Sequence, residues 1–219
     1  MRPPLTIEEF FEVFHRYNEA VWPIQPALLS LALLAIALVH MRARRVRQAV
    51  SWVLAGLWLW MAIVYHFAHF TTINEAAWLF GALFLLQAAL FAWYGGVVKS
   101  LEFLPTKGAS AAAGWTLIVY SLLVYPLIGF AVGHGYFASP TFGVPCPTTI
   151  FTVGILHFTD QQFPRFILAI PLAWSAVGSF AAAFLAVPQD LGLSVAGIAL
   201  LVMLARMRPG SPGREQSPV

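Results

Sequence analysis

Residues 50–69 read VSWVLAGLWLWMAIVYHFAH, a run of apolar residues with no Asp, Glu, Lys or Arg. A helix needs about 20 such residues to cross the roughly 30 Å hydrocarbon core of a bilayer. The whole chain has the same character, because 60% of its residues are hydrophobic and only 10% are charged. Soluble domains are about a quarter charged. The composition therefore predicts a polytopic membrane protein and excludes a soluble enzyme, a disordered chain and a disulfide scaffold.

Six further apolar segments have the same lack of charged residues. The sequence thus predicts an all-α, polytopic membrane helical bundle with seven transmembrane helices, of which the fifth and seventh are short. The spans are expected near residues 21–40, 50–69, 76–98, 109–132, 147–158, 166–187 and 191–205. They form one transmembrane domain, residues 1–208. The Pro-, Gly- and Ser-rich residues 209–219 are predicted to be a disordered cytoplasmic tail.

The charged residues between the spans predict the orientation of the bundle. Ten of the twelve basic residues fall on connections at one side, where the net charge is +7, and the other side has a net charge of −4. Basic connections stay in the cytoplasm. The N-terminus is therefore predicted to face out and the C-terminus to face the cytoplasm. The basic connections carry Arg42, Arg44, Arg45, Arg47, Lys99, Lys107, Arg165, Arg206, Arg208 and Arg214.

The segment before the first span predicts an amphipathic helix over residues 5–19, which lies on the outer face of the membrane. It opens with a capping-box spacing at Thr6 and Glu9, and aromatic residues follow at mixed helical spacing. No cleavable signal peptide, nucleotide-binding motif or nucleic-acid-binding patch is visible. The bilayer is the expected partner, together with a small solute or metal ion.

Polar residues near the spans fall mostly on the outer side. Because lipid-facing helix surfaces need no polar side chains, this distribution predicts an outward-facing polar pocket that binds or transports a small solute or metal ion. The candidate binding residues are His66, His69, Asn74, His134, Tyr136, Cys146, Thr148, Thr149 and Asp190. Asn74 and Asp190 each precede a span, so helix capping is an alternative role for both.

The sequence also predicts that this pocket holds a metal ion. His66 and His69 lie one helical turn apart, and the chain's single cysteine, Cys146, lies between Pro145 and Pro147. Imidazole and thiolate suit zinc or copper, and the predicted metal ligands are His66, His134 and Cys146. The structural alternatives are that His134 ends a helix before a glycine and that Cys146 is a buried hydrophobe.

Two other functions stay open at this level. A membrane-embedded metal hydrolase would hold zinc with three ligands from His66, His69, His134 and Asp190. A haem-binding electron-transfer protein would pair His66 or His69 with His134 near the outer face, and His40 with His157 near the inner face. A retinal pigment is disfavoured, because the predicted spans contain no lysine for a Schiff base.

Five stretches carry a resemblance to a known family: residues 18–23 (NEAVWP), 64–66 (VYH), 73–77 (INEAA), 140–152 (PTFGVPCPTTIFT) and 187–192 (VPQDLG). They resemble an uncharacterised bacterial integral-membrane family, domain-of-unknown-function family 6064, over nearly the whole chain. Members often have Pro where this chain has Glu75. The resemblance implies a multi-pass protein of the bacterial plasma (inner) membrane and implies no reaction.

Overall fold

The structure, a computed structural model, describes residues 7–132, 135–185 and 187–207. In these ranges the chain is helical, and its β pairing is limited to two isolated bridges. The predicted tail 209–219 lies outside them. The α-helices are α1 (Ile7–Val21), α2 (Gln25–Val39), α3 (Arg44–Arg47), α4 (Ala49–Trp60), α5 (Ala77–Phe91), α6 (Gly108–Val119), α7 (Tyr125–Ala131), α8 (Pro145–Leu156), α9 (Ala169–Leu185) and α10 (Gly192–Arg206).

Short helical turns extend several of these helices. The π-helical segments Met61–Phe67, Ala92–Val97 and Tyr120–Val124 follow α4, α5 and α6, and the 3₁₀ turns are Phe70–Thr72, Tyr136–Ala138, Arg165–Leu168 and Pro188–Leu191. With these turns, five segments of the described chain are long and apolar enough to cross a membrane. They are Arg44–Thr72, Ala77–Val97, Gly108–Ala131, Arg165–Leu185 and Pro188–Arg206.

Each predicted span coincides with a helical segment, but two of these segments do not qualify by themselves. Helix α2 has 15 residues and qualifies only together with α1, from which it is bent by 87°. Helix α8 has 12 residues, which gives a length of about 18 Å. The segment at the predicted seventh span, Pro188–Arg206, has 19 residues and is longer than the predicted range 191–205.

Helix α8 lies at the centre of the bundle. Eleven of its twelve residues are buried, as expected for a helix that is apolar on every side. It packs against α6, α9 and α10. The approach to α6 is closest at two glycines, where a Cβ atom on Gly154 would lie 3.0 Å from the carbonyl oxygen of Gly114. The shortest predicted span is therefore the innermost helix.

The connections that carry most basic residues meet at one end of the bundle, called here the basic end (residues 40–48, 98–107, 157–165 and 206–207). Arg47 donates hydrogen bonds to Glu102 at 3.2 Å and to the carbonyl of Phe103 at 2.7 Å. The amide of Leu104 donates to the carbonyl of Phe158 at 2.8 Å. These bonds join connections that are distant in sequence at the same end.

The opposite end, called here the α1 end, carries α1 and residues 136–144. Helix α1 buries Phe10, Phe14, Tyr17 and other apolar residues on one face and exposes acidic residues such as Glu12 on the other. This agrees with the amphipathic helix predicted for residues 5–19. Its apolar face is covered by the protein, including Tyr65 and other residues from the ends of neighbouring helices.

Candidate functional site

A buried amide joins α1 to the loop at residues 136–144. Asn18 has no exposed surface, and its amide nitrogen donates to the carbonyls of Phe137 at 2.7 Å and Ser139 at 2.8 Å. Its amide oxygen accepts bonds from Gln25 Nε2 at 2.7 Å and Thr141 Oγ1 at 2.8 Å. Because a buried amide needs partners for both of its groups, this network holds the loop against α1.

The same loop leads into the N-terminus of α8. The amide of Gly143 donates to Thr148 Oγ1 at 3.0 Å, and Gly143 has φ +105°, a backbone angle that other residues rarely adopt. Tyr17 Oη donates to the carbonyl of Gly143 at 3.4 Å and accepts from Trp60 Nε1 at 2.8 Å. Prolines 145 and 147 then start the helix, and Cys146 between them is half-buried.

Asp190 lies close to this helix start. It is 2% exposed, and its carboxylate accepts a hydrogen bond from the hydroxyl of Tyr125. The thiol of Cys146 is a second polar neighbour of the carboxylate. Asp190 makes no capping bond to the start of α10, so the capping role considered for it is wrong. Among the described residues, no Lys, Arg or His forms an ion pair with Asp190.

A cavity of about 330 Å³ opens beside Asp190 and Cys146 at the α1 end. Eight of its seventeen lining residues are aromatic, and α9 forms the longest wall. Three of the predicted binding residues, Asn74, Cys146 and Asp190, line it. The pocket is therefore more apolar than the sequence predicts, with a few polar groups placed in aromatic surroundings.

His66 lies behind the aromatic wall of this cavity. It is completely buried, and its ring centroid lies 4.7 Å from that of Phe84 and 5.4 Å from that of Trp174. Neither of its ring nitrogens has a hydrogen-bond partner in the described part of the chain, and the same is true of Trp174 Nε1. His66 thus belongs to the aromatic packing and does not line the cavity.

The remaining predicted residues fall in several places. His69 Nδ1 lies 2.7 Å from the carbonyl oxygen of Val64. The amide of Ala76 donates to the side-chain oxygen of Asn74 at 2.9 Å, a local turn just before α5, whose first residue Ala77 receives no side-chain cap. Thr148 and Thr149 are buried in α8, and the hydroxyl of Thr149 has no partner in the described ranges. His134 and the side chain of Tyr136 lie outside the described residues.

The metal and haem predictions depend partly on His134. Among the described residues, no group of three His, Cys, Asp or Glu side chains is close enough to hold a metal ion. The set of His66, His134 and Cys146, and the zinc or copper expected there, therefore stays a prediction. At the basic end, His40 is exposed and stacks on Trp115, while His157 is buried with both ring nitrogens unpartnered by described residues.

A second cavity, of about 500 Å³, lies between α2, α7 and residues 139–142. Tyr125, which donates to Asp190, forms part of its wall. The hydrogen bond between Tyr125 and Asp190 therefore connects the walls of the two cavities.

Sequence reasoning missed the aromatic residues of the site. Phe10 and Phe14 of α1 and Trp174 of α9 line the smaller cavity, and Tyr125 supplies the bond to Asp190. Aromatic residues are common in membrane helices as packing and interfacial groups, so composition does not single these four out. The one usable signal is the Tyr125 hydroxyl, a polar group inside a mainly apolar span.

Of the three comparisons with known proteins, one gives a match. The family model described as a family of unknown function (DUF6064) matches residues 7–210. None of the curated proteins and none of the solved structures matches the chain. Since the family model covers nearly the whole sequence, the chain belongs to this family of unknown function, DUF6064.

Proposed function

We propose that the protein is a seven-span protein of the bacterial inner membrane, with its N-terminus outside and its C-terminus in the cytoplasm. Two observations support this arrangement. Connections 40–48, 98–107 and 157–165 meet at the basic end, whereas α1, residues 136–144 and Asp190 meet at the α1 end. Most basic residues belong to the first set, which the positive-inside rule assigns to the cytoplasm.

The two short helices fit this topology for different reasons. Helix α2 continues from α1 through a bend of 87°, which is the geometry of a surface helix leading into a span. Helix α8 is too short to cross the hydrocarbon core, but it is buried on every side. Irregular chain at membrane depth is tolerated when protein shields it from lipid, as α1 and its neighbours shield residues 139–144.

We infer that the protein binds a small, mainly apolar molecule in the cavity at the α1 end, and so on the outer side of the membrane. The cavity of about 330 Å³ is the observation that carries this inference. Small-molecule sites are concave and mostly apolar, with a few polar groups that fix the ligand's orientation. Asn74, Cys146 and Asp190 are among the polar groups on this wall.

The single cysteine allows a direct test of this function. We expect methyl methanethiosulfonate, a small neutral reagent, to modify Cys146 in the purified protein, because Cys146 lines the cavity. The variant Ala181→Phe places a benzyl group on the cavity wall and should slow the modification about tenfold. The rate is measured by mass spectrometry of the intact chain.

The matched control is Ala183→Phe, on the same helix. Ala183 is exposed and is not part of the cavity wall, so this variant should react like the wild type. Equal rates in all three proteins would show that the cavity does not govern access to Cys146, and would contradict the proposed binding site. A lower melting temperature of Ala181→Phe alone would expose a folding defect, and Ala181→Val then serves as a smaller filling variant.

A further inference from the structure

We propose that the ligand of this cavity is an organic cation whose positive charge lies beside Asp190. This inference rests on the proposed binding function and names the chemical class of the ligand. The chemistry that fits is an ammonium group shielded by alkyl or aryl substituents. The argument comes from the buried carboxylate, the aromatic wall and the scarcity of polar groups.

The carboxylate is the first reason. Among the residues that the structure describes, Asp190 is the only charged one on the cavity wall. It is buried, and its described polar neighbours are the Tyr125 hydroxyl and the Cys146 thiol. A buried carboxylate without a cationic partner is unfavourable. Because the hydroxyl of Tyr125 donates to it, the carboxylate has an acceptor site occupied but no compensating charge. A cationic ligand supplies that charge.

The aromatic wall is the second reason. Phe10 and Phe14 from α1, Phe70, Phe80, Trp174 and Phe180 all line the same cavity as Asp190. Cations are attracted to the faces of aromatic rings, and quaternary ammonium groups are the ligands for which such surroundings are best suited. A single acidic residue among aromatic side chains thus combines two attractions for one charge.

The scarcity of polar groups on the cavity wall indicates which class of cation binds there. Beside Asp190, the polar side chains on the wall are those of Asn74 and Cys146, together with the Tyr65 hydroxyl and the Trp174 indole. A small inorganic cation or a primary ammonium is strongly hydrated and needs several ligands to replace its water. An ammonium carrying alkyl groups loses little hydration, and its apolar part suits the aromatic wall. The volume of about 330 Å³ accommodates a molecule with one aromatic ring.

The test compares benzyltrimethylammonium with neopentylbenzene, its neutral isostere, in which carbon replaces the charged nitrogen. Binding is measured as protection of Cys146 from methyl methanethiosulfonate in nanodiscs. Ligand concentrations are corrected for partition into protein-free discs. We expect the wild type to bind the cation at least tenfold more tightly than the neutral molecule. Asp190→Asn should weaken cation binding by about tenfold or more and leave neopentylbenzene binding unchanged.

The matched control is Glu75→Gln, which removes an exposed carboxylate at the same end of the bundle but not from the cavity wall. It should bind both molecules like the wild type. If Asp190→Asn does not fold, the inference is tested in the wild-type protein by the rates at which Cys146 reacts with charged reagents. A methanethiosulfonate with a trimethylammonium group should then react faster than its sulfonate counterpart, after both rates are divided by those for a free thiol.

Two results would overturn the inference, and they have different meanings. Equal affinity for both molecules, or an Asp190→Asn protein that retains the preference for the cation, would refute the proposal that the ligand is a cation. Neither result would contradict the proposed binding site. If neither molecule protects Cys146, the proposed binding function fails as well.

Discussion

Replacing Gly154 with leucine is expected to prevent the bundle from assembling, with a loss of about 3 kcal/mol or more in the free energy of unfolding. A Cβ atom at this position would lie 2.8 Å from Ile118 Cγ1 and 3.0 Å from the carbonyl oxygen of Gly114. The second contact is to backbone, which cannot move aside by a change of rotamer. Helix α8 is buried on every side, so it cannot move away from α6 without displacing its other neighbours.

The measurement is the yield of monodisperse protein and its melting temperature in detergent. Gly56→Leu is the matched control, because Gly56 is an exposed helical glycine and a Cβ atom there would meet nothing within 4 Å. Leucine is the better helix former by almost 1 kcal/mol, so this variant should melt at or above the wild-type temperature. A Gly154→Leu protein as stable as Gly56→Leu would contradict the close contact between α6 and α8.

Asn18→Ala is expected to cost about 3 kcal/mol and to release the loop at residues 136–144. The substitution removes the hydrogen bonds that Asn18 donates to the carbonyls of Phe137 and Ser139 and those that it accepts from Gln25 and Thr141. A buried group that loses its partner costs roughly 1–3 kcal/mol, and these losses occur together. The loop closes over the start of α8, so its release should also open the cavity of about 330 Å³ at the α1 end.

Two measurements check this prediction. The melting temperature reports the loss of stability, and hydrogen exchange of residues 136–144 reports the release of the loop. Asn74→Ala is the comparison, because Asn74 makes one local bond to the amide of Ala76 and its removal should cost only about 1 kcal/mol. An Asn18→Ala protein with unchanged exchange in the loop would show that the network around Asn18 does not hold it.

The helical segments were predictable because their signal is local. The solvent of a membrane helix is lipid, so a run of apolar residues is sufficient to indicate the helix, and charged residues mark where it ends. The amphipathic pattern of α1 is local in the same way, as Glu12 and Phe14 fall on opposite faces. The start of α8 was predicted two residues late, at 147, because Pro145 is suited to the first turn of a helix.

The candidate site was predictable only in part. Asn74, Cys146 and Asp190 were selected because polar residues near spans are rare, and the structure places all three on one cavity wall. The partner of Asp190 was not predictable, since Tyr125 lies 65 positions away along the chain. His66 was selected by the same rule, yet it packs among the rings of Phe84 and Trp174. Scarcity identifies a polar residue but not the direction of its side chain.

By itself, the sequence determined the membrane class, the helical segments, the asymmetry of charge between their connections and the resemblance to a family. Each of these depends on neighbouring residues and on the solvent. The tertiary structure alone decided that the shortest predicted span is the central helix, and that aromatic side chains from α1 and α9 surround Asp190. The physical reason is that helix packing is set by small residues and side-chain shape at each crossing, and almost any apolar residue satisfies the lipid.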